Sequence, residues 1–464
     1  MHSLEAGMAG YSQKGLRSFH TPGHKGREEF YQDWNFQAYD LTELPGLDML
    51  HAPEGIIAQA QLRAAAIFGA EESYYLVNGA TVGNQAMLLS LDSSSGKPIL
   101  VNRTAHRSLM AGLVLSGLEP KYIPSIVHPD FNLPLGLAVN KIKENWSDVL
   151  ACHVTYPTYY GTAIDLKGLL AGDDIPPMLV DQAHGAHYLS GLFPASALTL
   201  GADLVVHSLH KTLSAMTQTG ILHVQGQKIS RSRLRQSLEL LQSSSPNYIL
   251  LASLERASEY ALELHRWEDL REEVELLYIQ LGEKLRILSP QDAGTYGIQA
   301  VDWSKILINT RALGVTAAQA VAFLRESFGI EPELWDEENI LFLLGIGSTP
   351  EDVRLLTKGL DSLTSLTENG ELPQRELLDL PKIPPLCKSP REAFMAAKKR
   401  IKLADSLGCI VGETISPYPP GIPLIVAGEE MTGEVMEALI RSRGKSWQGW
   451  DGSESGLIWV IEEG

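Results

Sequence analysis

The sequence predicts an α/β protein. Its main domain is a mostly parallel sheet covered by helices, and smaller α/β domains follow it. Three observations carry this. First, short apolar runs recur between residues 54 and 225, among them Tyr74–Val77, Pro98–Val101, Val149–Val154, Met178–Val180 and Leu204–Val206, and each is of strand length. Second, stretches of helical periodicity such as Ala105–Leu115 lie between several of them, and strands alternating with helices make a parallel sheet. Third, the runs end abruptly in polar residues. Leu204-Val205-Val206 stops at His207-Ser208-Leu209-His210-Lys211, and the carboxyl ends of strands are where open α/β sheets bind ligands.

The elements follow in order. Residues 1–50 are rich in Gly, Pro and His and read as an extended arm with short helices. Residues 51–255 form the main domain, which TGILHV (219–224) supplies with one more strand soon after Lys211. A long helical stretch spans about 248–290. The smaller α/β pattern of 256–370 has apolar runs near Ile306–Ile308 and Ile340–Leu344. Residues 371–387 are rich in Pro and charge and read as a linker. Residues 388–464 form a C-terminal domain with a helix over Pro390–Leu403, the stretch ISPYPPGIPLIVAGE, and a closing helix and strand.

Composition narrows the function classes. At 464 residues with 44% hydrophobic and 20% charged content, the chain can bury a large core. No apolar run approaches the roughly 18 residues of a membrane helix, so no membrane role is expected. A net charge of −18 argues against nucleic acid as a partner, because phosphate binding needs a basic face. The N-terminus has no apolar signal core, and the three cysteines, Cys152, Cys387 and Cys409, have no disulfide or zinc spacing. A reducing cytoplasm is therefore expected.

Four constellations could carry chemistry. In YYLVNGATVGNQ (74–85) a strand runs through Asn78-Gly79-Ala80-Thr81 into a helix, and a helix start of this kind holds anions, usually phosphate. It is also an ordinary strand–turn–helix with a capping Thr. In PPMLVDQAHGAH (176–187) a strand ends in Asp181. That carboxylate either holds a cationic ring nitrogen or caps the next helix, and the small residues after it leave room for a flat ligand. Lys211 ends a buried approach beside His210. Burial and a neighbouring cation turn a lysine into a nucleophile for carbonyls, although most lysines merely reach to water. In NRTAHRS (102–108) His106 either stacks on a planar ring or faces water at a helix start. Together they form a set for pyridoxal phosphate: an anion cradle, a stacking ring, a partner for the pyridine nitrogen and an amine for the aldehyde.

The chain resembles the fold-type-I ornithine/lysine/arginine decarboxylases, in the short form without an N-terminal wing domain. FHTPGHKG (19–26), LVNGATVGNQ (76–85), NRTAHRS (102–108), LVDQAHGAH (179–187), HSLHKT (207–212) and ISPYPPGIPL (415–424) carry the resemblance. It implies an aspartate-aminotransferase-like main domain and a pyridoxal-phosphate-dependent decarboxylation of arginine, lysine or ornithine, giving agmatine, cadaverine or putrescine and CO2. It implies that Lys211 binds the cofactor's aldehyde, Asp181 pairs with its ring nitrogen, and His106 and Ala183 cover the two ring faces. Ala80, Thr81 and Val82 would hold the phosphate, helped by Ser208 and His210, and His184 would sit near the phenolic oxygen or the substrate. Ser244 would reach the phosphate of a partner subunit in a homodimer or a multiple of dimers. Glu43, Asp48 and Glu413 are the candidate acceptors for the substrate's distal cation. Two departures stand out: an apolar Met49 where the family often has a second acid, and Ala80 where many relatives have Ser or Thr. Three rival readings remain. One is an aminotransferase or other lyase on the same fold. Another is a non-catalytic relative. The third is a metal site built from the two HxxH pairs, His184/His187 and His207/His210.

Overall fold

The computed structural model describes residues 3–172, 174–365, 380–418, 423–441, 446–450 and 452–462. Its centre is a seven-stranded sheet in the order Glu72–Leu76, Gly220–Val224, Leu204–His207, Met178–Asp181, Ala151–Thr155, Ile99–Asn102, Pro120–Ile123. Only Gly220–Val224 runs antiparallel to its neighbours; the pairings from Leu204–His207 out to Pro120–Ile123 are all parallel. Every residue of Met178–Asp181 and Leu204–His207 is buried. That is why these strands read as unbroken apolar runs rather than alternating ones. Asp181 lies level with Val206 on one neighbour and Thr155 on the other, so the polar strand ends share one rim of the sheet.

Helices Gly79–Leu89 and Arg107–Ser116 form the first two crossovers. The long helical stretch is two helices, Tyr248–Tyr260 and Leu264–Leu281, and the residues just past it form the short strand Arg286–Ile287 instead. A second, antiparallel sheet joins Arg286–Ile287, Lys305–Asn309, Asn339–Leu343 and Leu334–Trp335. The arm is built into this smaller unit, because Arg17–Phe19 pairs with Ile330–Pro332. Most of the expected linker, and Pro419-Pro420-Gly421 of the ISPYPPGIP stretch, lie outside the described residues.

The helix expected over Pro390–Leu403 stops at Met395. Lys398–Lys402 is instead a strand paired antiparallel with Leu457–Ile461. The good helix formers Ala396-Ala397-Lys398 are overridden by a partner near the other end of the chain, as tertiary pairing often overrides propensity. This C-terminal unit is fastened to the main sheet by Arg103, just past the strand Ile99–Asn102. The guanidinium donates to both carboxylate oxygens of Glu429 at 2.6 and 2.8 Å and to the carbonyls of Pro423 and Leu424 at 3.2 and 3.3 Å. It also lies over the Tyr122 ring.

Candidate active site

The rim of the main sheet, the second sheet and the C-terminal unit enclose a cavity of about 1060 Å³. Asp181 enters from the end of its strand. Its Oδ2 accepts from Asn84 Nδ2 at 2.8 Å and its Oδ1 from the Ala183 backbone N–H at 3.1 Å. Among the described residues it has no ion pair, so a buried carboxylate faces the cavity ready for a cationic partner. Asn84 in turn donates to Ser108 Oγ and accepts from His153 Nε2 at 3.1 Å. Ser108 closes the network on His106, whose Nδ1 accepts from the Ser108 backbone N–H. Nε2 therefore carries the proton, and the ring is fixed as the cap of helix Arg107–Ser116. Burial holds this imidazole neutral, below its ordinary value, with Asp181 pulling the other way.

Lys211 arrives on the short helix Leu209–Thr212, which follows its strand directly. Its Nζ lies 3.0 Å from His184 Nε2. Burial pushes the amine below its ordinary value, against the pull of Asp181 and Glu333. His184 is pushed well below its own, by burial first and then by the Lys211 and Lys305 charges. The Tyr159 ring meets the His184 imidazole edge-on at 4.8 Å. The arm explains the PGHK motif. Gly23 N–H donates to the His210 carbonyl at 2.7 Å, and a Cβ on Gly23 would stand 2.5 Å from Leu213 O, so only glycine fits against the lysine helix.

The opposite wall is the start of helix Gly79–Leu89. Gly79 has φ +68°, which turns the chain so that the free N–H groups of the first turn face the cavity. A Cβ on Gly220 in the adjacent strand would lie 3.0 Å from Ala80 N and 2.9 Å from His207 O, so glycine is needed there too.

The structure thus brings Ala80, Thr81, His106, Asp181, Ala183, His184, Ser208, His210 and Lys211 to one cavity. Val82 does not line it: its side chain is wholly buried in the core beneath, leaving only its backbone for any role there. Ser244 is exposed on the loop before Tyr248–Tyr260 and does not line the cavity of its own chain. Neither do the three acidic candidates. Asp48 is committed locally: its carboxylate accepts from the backbone N–H groups of Gly55 at 2.7 Å, Ile57 at 3.1 Å and Ala58 at 3.2 Å, capping helix Ile56–Phe68. Glu413 accepts from Trp459 N–H and lines a separate groove in the C-terminal unit. Glu43 sits beside Tyr248. The HxxH histidines do not converge. His187 turns to Asp302, His207 meets His223 inside the sheet, and His210 Nδ1 donates to the Thr219 carbonyl. Asn84 and His153 were not anticipated. Asn84 was legible, since it lies one helical turn beyond Ala80 and so on the same face.

This arrangement suits a flat ligand with an anionic group at one end and a cationic ring nitrogen at the other. Residues 3–286 match the model of the Orn/Lys/Arg decarboxylase major domain, and 381–442 that of its C-terminal domain. An uncharacterised Bacillus subtilis (strain 168) protein, YaaO, is 35% identical over 93% of this chain and 92% of its own length. The arginine decarboxylase of the same organism is 33% identical over 99% of this chain and 98% of its own. The crystal structure of the Francisella novicida lysine decarboxylase LdcF superposes with a TM-score of 0.77 at 19% identity, covering 95% of this chain and 78% of that one. The fold is that of the fold-type-I pyridoxal-phosphate enzymes, and the chain belongs to the Orn/Lys/Arg decarboxylase family.

Proposed function

We propose that the protein is a pyridoxal-phosphate-dependent decarboxylase of a basic amino acid, with arginine the first of three candidates before lysine and ornithine. It releases CO2 and the matching amine. One observation carries the reading. Asp181 ends one strand, Lys211 follows the end of the parallel strand beside it, and both face one cavity whose far wall is a helix start with free N–H groups. The Bacillus subtilis relative named arginine decarboxylase, similar over nearly the full length of both chains, supports arginine.

The residues present fit the cofactor. The N–H groups at Ala80 and Thr81, with the Ser208 hydroxyl, would take its phosphate; Asp181 would keep its ring nitrogen protonated; His106 and Ala183 would cover its faces. Bound there, pyridoxal phosphate supplies an electron sink for the pair left on Cα when CO2 departs. The chain's own contribution is orientation and proton control. Asn84 and the Ala183 N–H donate to the Asp181 carboxylate and fix its orientation. Burial favours the neutral Lys211 amine, the form that attacks a carbonyl. Lys211 Nζ and His184 Nε2, in contact, are the two atoms from which a proton can return to Cα. Thr414, Ser416, Pro423 and Gln448 of the C-terminal unit form the roof of the cavity.

Among the described lining residues Asp181 is the sole carboxylate. The acceptor for the substrate's distal cation is therefore read as coming from a partner's arm, in a homodimer or a multiple of dimers. All three cysteines are unpaired, which supports a cytoplasmic setting. No helix among the described residues is long and apolar enough to cross a membrane.

The test is to load the purified protein with pyridoxal phosphate and supply arginine, lysine and ornithine separately while following CO2. A visible absorption band lost in Lys211→Ala, with CO2 from one of the three, is the expected result. A protein that takes up no cofactor refutes the reading.

A further inference from the structure

Lys305 begins the strand Lys305–Asn309 of the second sheet, and it is 1% exposed. Its Nζ donates to the main-chain carbonyl of His184 at 3.0 Å and lies 3.7 Å from Asp302 Oδ2. Asp302 is itself fully buried. It accepts from the Tyr188 hydroxyl at 3.0 Å and the Ser304 hydroxyl at 2.7 Å, and it pairs with His187 at 3.2 Å. The Lys305 stem packs on Gly161, where a Cβ would stand 2.9 Å from it. A buried ion pair is weak evidence for stability, since desolvation offsets its attraction. What this pair touches is the turn that carries His184, and the other side of that histidine contacts the Lys211 amine.

We propose that Lys305 is a positioning residue of the reaction: it holds His184 from behind, so that the imidazole stays against the Lys211 amine, and it places an ammonium behind that contact. The inference rests on the decarboxylase reading, in which Lys211 captures an aldehyde. The charges facing the contact divide. Asp181 and Glu333 favour a protonated Lys211. Lys305 is a like charge on the far side of His184, and burial pushes it down to about 8, with Lys211 adding to the lowering and Asp302 opposing it. His106, His184 and His210 are all held below their ordinary value by burial, and the Tyr159 hydroxyl is tied to Glu333. Removing Lys305 takes away the cation that favours the neutral amine and loosens the ring that meets it.

The experiment uses full-length cofactor-free protein mixed with pyridoxal phosphate across a pH series. In capture the neutral amine adds to the aldehyde carbon and water leaves. Capture is read by visible absorbance, and by mass spectrometry after borohydride reduction at Lys211. In Lys305→Met the pH midpoint of the capture rate is expected to rise by about one unit, with Lys305→Arg returning it to the parent value. In the loaded enzyme kcat is expected to fall about tenfold or more, with KM nearly unchanged. Lys305→Gln keeps a donor for the His184 carbonyl without the charge, so it reports the same shift if the Met variant does not fold. An unchanged midpoint in both variants, or a kcat like the parent's, overturns the proposal. A parent protein that is not modified at Lys211 instead overturns the proposed function, and that outcome is seen before any variant is made.

Discussion

Arg103→Met is expected to loosen the C-terminal unit and, through it, the roof of the cavity. Arg103 and Glu429 are 7% and 0% exposed at their side chains. The arginine makes four hydrogen bonds across the junction. Among the described residues, removing it leaves Glu429 buried with one remaining donor on its carboxylate, the Val426 N–H at 2.8 Å. Breaking one side of a buried pair costs about 3–5 kcal/mol, or about a hundredfold to several-thousandfold in an opening equilibrium at 1.36 kcal/mol per factor of ten. The assay is native-state hydrogen exchange on the paired strands Lys398–Lys402 and Leu457–Ile461, which belong to the unit that opens. Their amides are expected to exchange faster by at least about a hundredfold, while Met178–Asp181 in the main sheet keeps its rate. KM for the amino acid is expected to rise, because Pro423 and its neighbours form the roof. The double variant Arg103→Met/Glu429→Met is expected to recover most of the loss, since a well-packed apolar pair replaces a buried ionic one at little cost. A rate change below about fivefold, equivalent to about 1 kcal/mol, would refute the assignment of Arg103 as the fastening residue.

Asp181→Asn keeps the shape but removes the charge. Its kcat/KM is expected to fall by about 10²–10³-fold while Lys211 still captures the cofactor, and full activity in that variant would remove Asp181 from the mechanism. Gly220→Ala places a Cβ 3.0 Å from Ala80 N. The helix start must shift, and the cofactor concentration for half-saturation is expected to rise about tenfold, from a strain of about 1–3 kcal/mol; titration by absorbance checks it. Stability is expected to fall as the pH drops below 6.5. Burial holds His153 and His210 at about 4 and His207 at about 3, against an ordinary value of 6.5. Across that window the unfolded chain binds protons that the folded one refuses, so stability rises with pH through it and levels off above. Urea midpoints measured through that range check the sign, and a midpoint that rises on acidification contradicts it.

The rim residues were legible because each sits where a local pattern changes. Asp181 and Lys211 each follow an apolar run that the fold buries on both faces, and His106 stands where a strand passes into a helix cap. What escaped were partnerships across the sequence. Nothing near Lys305 announces that its ammonium reaches the carbonyl of His184, nor does NRTAHRS announce that Arg103 reaches Glu429. The Pro390–Leu403 helix failed for the same reason. AFMAAKKR has good helix propensity, and the strand that overrides it is Leu457–Ile461. Asp48 shows another effect: an acid followed by a helix can serve that helix, and here five backbone N–H groups meet its carboxylate, away from the cavity of its own chain.

These long-range contacts explain why the cavity takes three units to build. The main sheet alone supplies the amine, the carboxylate and the anion cradle, all on one rim. Asn84 and the Ala183 N–H, both of the same unit, hold the carboxylate, while the amine and its histidine draw on other elements. Lys305 comes from the second sheet to brace the turn after Asp181, and Gly23 comes from the arm to clasp the helix that carries Lys211. The C-terminal unit, fastened by Arg103, closes the roof. The contact between Lys211 and His184 is thus backed from both sides by elements that carry none of the chemistry. This is what preorganisation requires when a cofactor supplies the electronic part of the reaction and the protein supplies position and charge.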